Sequence, residues 1–258
     1  MKKNGSRVAV VGLWHLGCVV SACLADLGYR VTGVDRDATR VKDLNDGKPP
    51  VFEPGLAELI KANLDAGRLS YTADLESGLQ GSRFFYITHD TPIDDNDEVD
   101  LSEIFDVVAD MAEHLEKGSI IMVSSQVPVG TCERLKSIIL KKNPAADCDI
   151  AYIPENLRLG QAIQRFKEAD AMIIGADSPA TLDKVENFFD VIKAPRLTMN
   201  LRSAEMTKHA MNAFLATSIS FSNEMGNLCD WLGADALKVA EALRLGFLLG
   251  FFPVSFSD

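Results

Sequence analysis

Gly12 and Gly17 lie between the short β-branched run Val8-Ala9-Val10-Val11 and an uncharged stretch of helical character. A strand that turns through Gly-x-x-x-x-Gly into a helix offers free N–H groups and a positive dipole end to a diphosphate. Asp35 ends the next β-rich run, Arg30-Val31-Thr32-Gly33-Val34. At that offset an acid accepts hydrogen bonds from a ribose diol and repels a 2′-phosphate, which favours NAD. Gly12, Trp14, His15, Leu16, Gly17 and Asp35 are therefore expected to bind the cofactor, with Arg36 and Arg40 on the same side. Arg36 slightly weakens the preference for NAD. The usual motif has glycine where Trp14 stands, so the indole must point away from the ligand.

Three further polar segments follow β-rich runs. They are His89-Asp90-Thr91-Pro92, Ser124-Ser125-Gln126-Val127-Pro128-Val129-Gly130-Thr131 and Pro154-Glu155-Asn156-Leu157-Arg158. In open parallel sheets ligands bind beyond the carboxyl ends of the strands, so these loops are expected to converge on one crevice. Lys208 and Asn212 are four apart in a helical stretch and share a face. Such a pair can hold a hydroxyl or water and stabilise a developing alkoxide. Apolar neighbours at Ala210, Met211, Ala213 and Phe214 suggest that this helix is largely buried.

The elements that must position these groups alternate. Strands are expected at Phe84–Thr88, Ser119–Ser124, Asp149–Ile153, Ala171–Gly175 and Arg196–Met199, in addition to the first two. Helices are expected at Asp37–Asn45, Gly55–Ala66, Leu101–Leu115, Thr131–Lys141 and Pro179–Val191. The pattern predicts an α/β fold: a Rossmann-type doubly wound parallel sheet, then one long helix over Ser203–Leu232 and another over Asp235–Leu245. Residues 1–200 read as the NAD-binding domain and 201–245 as the start of a helical dimerisation region. Residues 246–258 form an atypical tail with four phenylalanines and no charge before Asp258. Glu53-Pro54-Gly55-Leu56 reads as a turn leading into a helix, structural rather than catalytic.

Composition narrows the classes. The chain has 258 residues, 47% of them hydrophobic, and a net charge of −11. It lacks the basic footprint of a nucleic-acid binder. Five cysteines without a CxxC pair, and four scattered histidines, argue against a disulfide framework or a metal centre and fit a reducing cytoplasm. The opening Lys2-Lys3 followed by the uncharged run from Val8 to Ala25 imitates a signal peptide or membrane span. Gly12, His15 and Gly17 interrupt that run, and a buried strand, turn and helix is the preferred reading.

Together these motifs resemble the UDP-glucose/GDP-mannose dehydrogenase family, the nucleotide-sugar 6-dehydrogenases. The resemblance rests on Gly12 to Gly17 with Val34-Asp35, Pro49 to Leu56, Thr91-Pro92, Val127 to Thr131, Pro154-Glu155, Lys208 to Ala216 and Ser220 to Glu224. It implies oxidation of a sugar CH₂OH to a carboxylate with two hydride transfers to NAD, by way of an aldehyde captured on a cysteine thiolate and a thioester that water hydrolyses. It implies that Glu155 serves the hydrolysis step, that Lys208 and Asn212 steady the reacting oxygen and water, and that Thr91 lies near the cofactor, with Gln126 counted beside it. It further implies a UDP-sugar substrate, while the long apolar helix points to self-association as a homodimer and the composition to no nucleic-acid or membrane partner.

The departures are specific. Gln126 replaces the family's threonine, Leu159 replaces a second glutamate, and Ser218 replaces a lysine. The family's Gly-Gly-x-Cys nucleophile segment and UDP-binding domain are absent. The chain is therefore expected to be an N-terminal part, inactive alone, with a tail that reflects an early stop, a shifted frame or a covering subunit. Two rivals stay open: a β-hydroxyacid dehydrogenase, which oxidises once and needs no cysteine, and a non-catalytic nucleotide-binding or assembly module.

Overall fold

The computed structural model describes residues 6–96, 98–155 and 157–248. The chain divides into two compact units, Met1–Lys208 and His209–Asp258. The first unit opens with β1 (Arg7–Val11), α1 (His15–Asp26), β2 (Arg30–Val34), α2 (Ala38–Asn45) and α3 (Leu56–Asp65). It continues with β3 (Leu69–Thr72), α4 (Leu75–Leu79), β4 (Phe84–Ile87), α5 (Ser102–Met111), β5 (Ser119–Val123) and α6 (Thr131–Lys142). It ends with β6 (Cys148–Tyr152), α7 (Ala162–Lys167), β7 (Met172–Gly175), α8 (Pro179–Phe188) and β8 (Arg196–Met199). Two last helices follow, α9 (Leu201–Leu232) and α10 (Ala236–Leu248). Nothing past Leu248 belongs to the described residues, so the expectation for the tail falls largely outside them.

The sheet has eight strands in the order β3-β2-β1-β4-β5-β6-β7-β8. Strands buried on both faces read as continuous apolar runs, and β1 and β5 do so because helices cover each side. Val8 and Val10 face the layer containing α1, α3 and α8. Ala9 and Val11 face the layer containing α5 and α6. The run from Val8 to Ala25 is therefore the centre of a packed core, with Val8, Ala9 and Val10 fully buried.

Two departures from the sequence reading stand out. The edge strand β3 and the short helices α4 and α7 were not expected. Nor is the sheet parallel throughout: β7 meets β6 antiparallel, with Tyr152 opposite Gly175, and β8 then runs parallel to β7. The connection after β6 carries a six-residue helix.

The long helix forms as expected and begins two residues early, at Leu201. Thirty-two residues make it about 48 Å long at 1.5 Å per residue. Its first turns belong to the first unit and bury Leu201, Ala204, Glu205 and Lys208. In the second unit the expected burial does not occur. Met211, Phe214, Leu215, Ile219 and Phe221 are exposed among the described residues. No described helix is long and apolar enough to cross a membrane.

Candidate dinucleotide and catalytic site

The strand order from β3 to β6 reverses between β1 and β4, which opens a crevice at the carboxyl ends of those strands. Gly12 leaves β1 with φ of +95°, where a side chain is strained, and an added Cβ would lie 2.8 Å from the His89 ring. Gly17 is closer still: its Cβ would sit 1.8 Å from the Gly12 carbonyl oxygen. The two glycines therefore let α1 start directly over the strand. Thr88 fastens the other wall of the crevice, its Oγ1 donating to the Gly12 carbonyl at 2.6 Å.

The amino end of α1 is left open. Trp14 is the N-cap residue and its side chain makes no capping hydrogen bond. The first N–H groups of a helix have no intrahelical partner, so those of α1 are available to an anion. The centroid of the Trp14 ring lies 5.2 Å from the Arg40 guanidinium carbon. Arg40 Nη1 in turn donates to Asp35 Oδ2 at 2.7 Å. Asp35 also accepts from Leu13 N at 2.7 Å and Asp37 N at 2.9 Å. A carboxylate offers about four lone-pair sites, so Asp35 can still receive a ribose hydroxyl. Arg36 turns outward to Asp110, at 2.6 Å. These features fit a dinucleotide whose diphosphate rests on α1 and whose adenosine ribose reaches Asp35.

His15 opens α1, and its Nε2 donates to Glu53 Oε2 at 3.1 Å. Glu53 is 3% exposed and also accepts from Gly160 N and Ala162 N, each at 2.9 Å. Burial works to raise its pKa, but the two amides and His15 outweigh it and hold the carboxyl below its usual range. One buried carboxylate thus joins the phosphate turn to the loop carrying Glu155 and stops the amino end of α7. Burial pushes the carboxyl of neighbouring Asp90 above its ordinary value, against the pull of His15 and Arg40.

Glu155 and Lys208 come together at the carboxyl edge. Lys208 Nζ donates to the Glu155 carbonyl at 2.6 Å and stands 3.4 Å from Glu155 Oε1. The Glu155 Oε2 accepts from Leu157 N at 2.8 Å. The Lys208 side chain is 8% exposed, so its charge acts in a poorly hydrated setting where electrostatic interactions are stronger than in water. Thr91 Oγ1 donates to the Gln126 carbonyl at 2.8 Å, which joins the loops after β4 and β5. Asn212 lies one turn past Lys208, exposed, in the second unit.

Three polar residues with roles here were not assigned from sequence. Glu53 was read as part of a turn. Glu205, fully buried, accepts from Gly130 N at 2.6 Å and Cys132 N at 2.8 Å and so closes the amino end of α6. Ser125, next to Gln126, has a buried hydroxyl without a partner at the end of β5. A sequence signal existed for Glu205: it and Lys208 interrupt the buried helical spacing of Leu201 and Ala204.

The five cysteines are all buried and free. Burial pushes the Cys18 and Cys23 thiols up to about 12. Burial and then Glu205 hold Cys132 well above its ordinary value, and burial raises Cys148. Among the described residues no cluster of histidine, cysteine and acids could hold a metal ion.

Comparison with known proteins places this geometry. Residues 6–193 match the NAD binding domain of the UDP-glucose/GDP-mannose dehydrogenase family, and residues 202–251 match its central domain. The UDP-glucose 6-dehydrogenase TuaD of Bacillus subtilis is 36% identical over 245 residues, which are 95% of this chain and 53% of that protein. A UDP-glucose dehydrogenase from Pyrobaculum islandicum superposes with a TM-score of 0.90 at 31% identity, over 95% of this chain and 58% of that one. A GDP-mannose dehydrogenase from Pseudomonas aeruginosa, solved as a ternary complex, gives 0.88 at 29% identity, over 93% and 56%. This chain thus spans about half the length of the curated relatives it matches. It carries the NAD-binding domain and central-domain match of the UDP-glucose/GDP-mannose dehydrogenase family, and it belongs to that family.

Proposed function

We propose that the chain is the NAD-binding and oxygen-positioning part of a nucleotide-sugar 6-dehydrogenase, the oxidoreductase that turns the CH₂OH of a UDP-sugar into a uronate. The observation that carries this reading is the pairing of buried Lys208 with Glu155, in a chain whose β1 and β2 end on the Gly12–Gly17 turn and Asp35. Bound NAD⁺ supplies the hydride acceptor. Lys208, with its ammonium held at the Glu155 carbonyl, is placed to stabilise negative charge developing on the substrate oxygen. Glu155 is the general base for the water of the hydrolysis step. Asn212 adds an amide one turn along the helix. The diphosphate lies on the first turn of α1 and the adenosine ribose on Asp35. Thr91 and Gln126 line the cofactor side.

Aldehyde capture needs a thiolate, the form that attacks. Cys18, Cys23, Cys132 and Cys148 are buried with raised pKa values, and none of the five cysteines is exposed. The residues in hand therefore bind cofactor without completing the oxidation, and these 258 residues alone are inactive. The working protein is a homodimer in the cytoplasm. From Ala210 to Asn223 the sequence has no Asp, Glu, Lys or Arg, and the exposed side chains there suit a second copy of the same helix, with no like charges to oppose pairing.

Two measurements on the 258-residue chain test this reading. NAD⁺ raises the melting temperature, and UDP-glucose with NAD⁺ gives no steady production of NADH. Turnover of a small 3-hydroxyacid, or no stabilisation by NAD⁺, overturns it.

A further inference from the structure

Past the end of β4, Thr88 and His89 bring the chain against the phosphate turn. The His89 side chain is 9% exposed. Its Nδ1 is buried with no hydrogen-bond partner. The same nitrogen would be 2.8 Å from a Cβ on Gly12, so it lies at the first residue of the turn on which a diphosphate rests. Its Nε2 stands 3.9 Å from Glu103 Oε1 of α5, beyond hydrogen-bonding distance. The other charged groups around the ring are Asp35 at the end of β2, Arg36 beside it and Arg40 of α2. All of them lie on the adenosine side of the crevice.

A histidine that only filled space would not leave a nitrogen unsatisfied, because burying a donor or acceptor without a partner costs free energy. The sequence reading placed His89 in a converging loop and gave it no role. We propose that His89 is a further cofactor contact, its Nδ1 hydrogen-bonding to an oxygen of the ADP half of the bound dinucleotide. The inference rests on the NAD-binding reading above. Burial lowers the pKa of the ring against the pull of Glu103, so the free protein holds it neutral. With its hydrogen on Nδ1, the imidazole donates to a phosphate oxygen, which can only accept. The Glu103 side chain is 64% exposed and free to turn from Nε2.

Calorimetric titration of the 258-residue chain with NAD⁺ and with ADP provides the test. His89→Leu weakens both ligands about ten-fold, the loss of one hydrogen bond to a charged group. His89→Asn, whose amide N–H reaches near the position of Nδ1, keeps most of the affinity. Leu binding as tightly as wild type, or Asn losing as much as Leu, overturns the proposal. Should His89→Leu fail to fold, wild-type chain carrying ¹⁵N-histidine gives a second measurement. Added NAD⁺ must shift the His89 Nδ1 resonance, and no shift refutes the contact. If wild type bound neither ligand, the cofactor reading itself would fall; if wild type bound and the variants matched it, only the role of His89 would.

Discussion

A carboxylate as deeply buried as Glu53 must be answered by donors, and its donors come from far away in sequence: His15 at the start of α1 on one side, Gly160 and Ala162 at the start of α7 on the other. Its pKa is depressed in the folded chain. The stability it contributes is therefore present above the unfolded carboxyl value, near about 4.3, and is lost as pH falls through the lower folded value. Glu53→Gln should cost about 2 kcal/mol at pH 7 by leaving buried donors unmatched. Melting curves taken from pH 7 downward should show the gap between wild type and variant closing below about pH 4. A gap that stays constant with pH would show that the charge of Glu53 is irrelevant.

At the scale of elements, the root of α9 is fixed by ionic contacts rather than by apolar area alone. Glu205 sits on the amino end of α6, and Arg202 makes two 2.7 Å hydrogen bonds to Glu133. The exposed Arg202 pair contributes little, while buried Glu205 contributes more. Glu205→Gln keeps only one acceptor for two amides. A loss of about 2 kcal/mol corresponds to a fall in melting temperature of about 4–8 °C for a domain of this size, which thermal denaturation measures. An unchanged melting temperature would remove Glu205 from this account. The elements themselves were largely legible: β1, the Gly12–Gly17 turn, α1 and Asp35 follow from β-branched runs and turn chemistry, and β8 falls where the sequence placed it. β3 was missed because Leu69-Ser70-Tyr71-Thr72 is short and half polar, as an edge strand is. Glu53 and Glu205 were not legible in their roles, because each accepts from backbone amides more than seventy residues away, and His89 was not, because only the fold brings its ring to Gly12. The exposure of α9 was misread because apolar spacing marks a face to be covered without naming what covers it.

At the scale of the whole molecule, the exposed apolar residues of the second unit set the expectation for assembly. Phe214, Leu215 and Ile219 are each more than half exposed, and exposed apolar residues grouped along a helix mark an interaction surface. Sedimentation at micromolar concentration should give twice the 28.1 kDa chain mass. Phe214→Glu combined with Ile219→Glu should return it to the monomer value. A monomeric wild type would refute self-association through this face.

The stacked indole at the head of α1 also gives the protein an intrinsic optical probe. The chain has only two tryptophans. Trp231 is 89% exposed in the second unit, while Trp14 is half covered beside Arg40. The two fluorophores therefore occupy different solvents: one emits as if free in water, and the other reports from the lip of the nucleotide cradle.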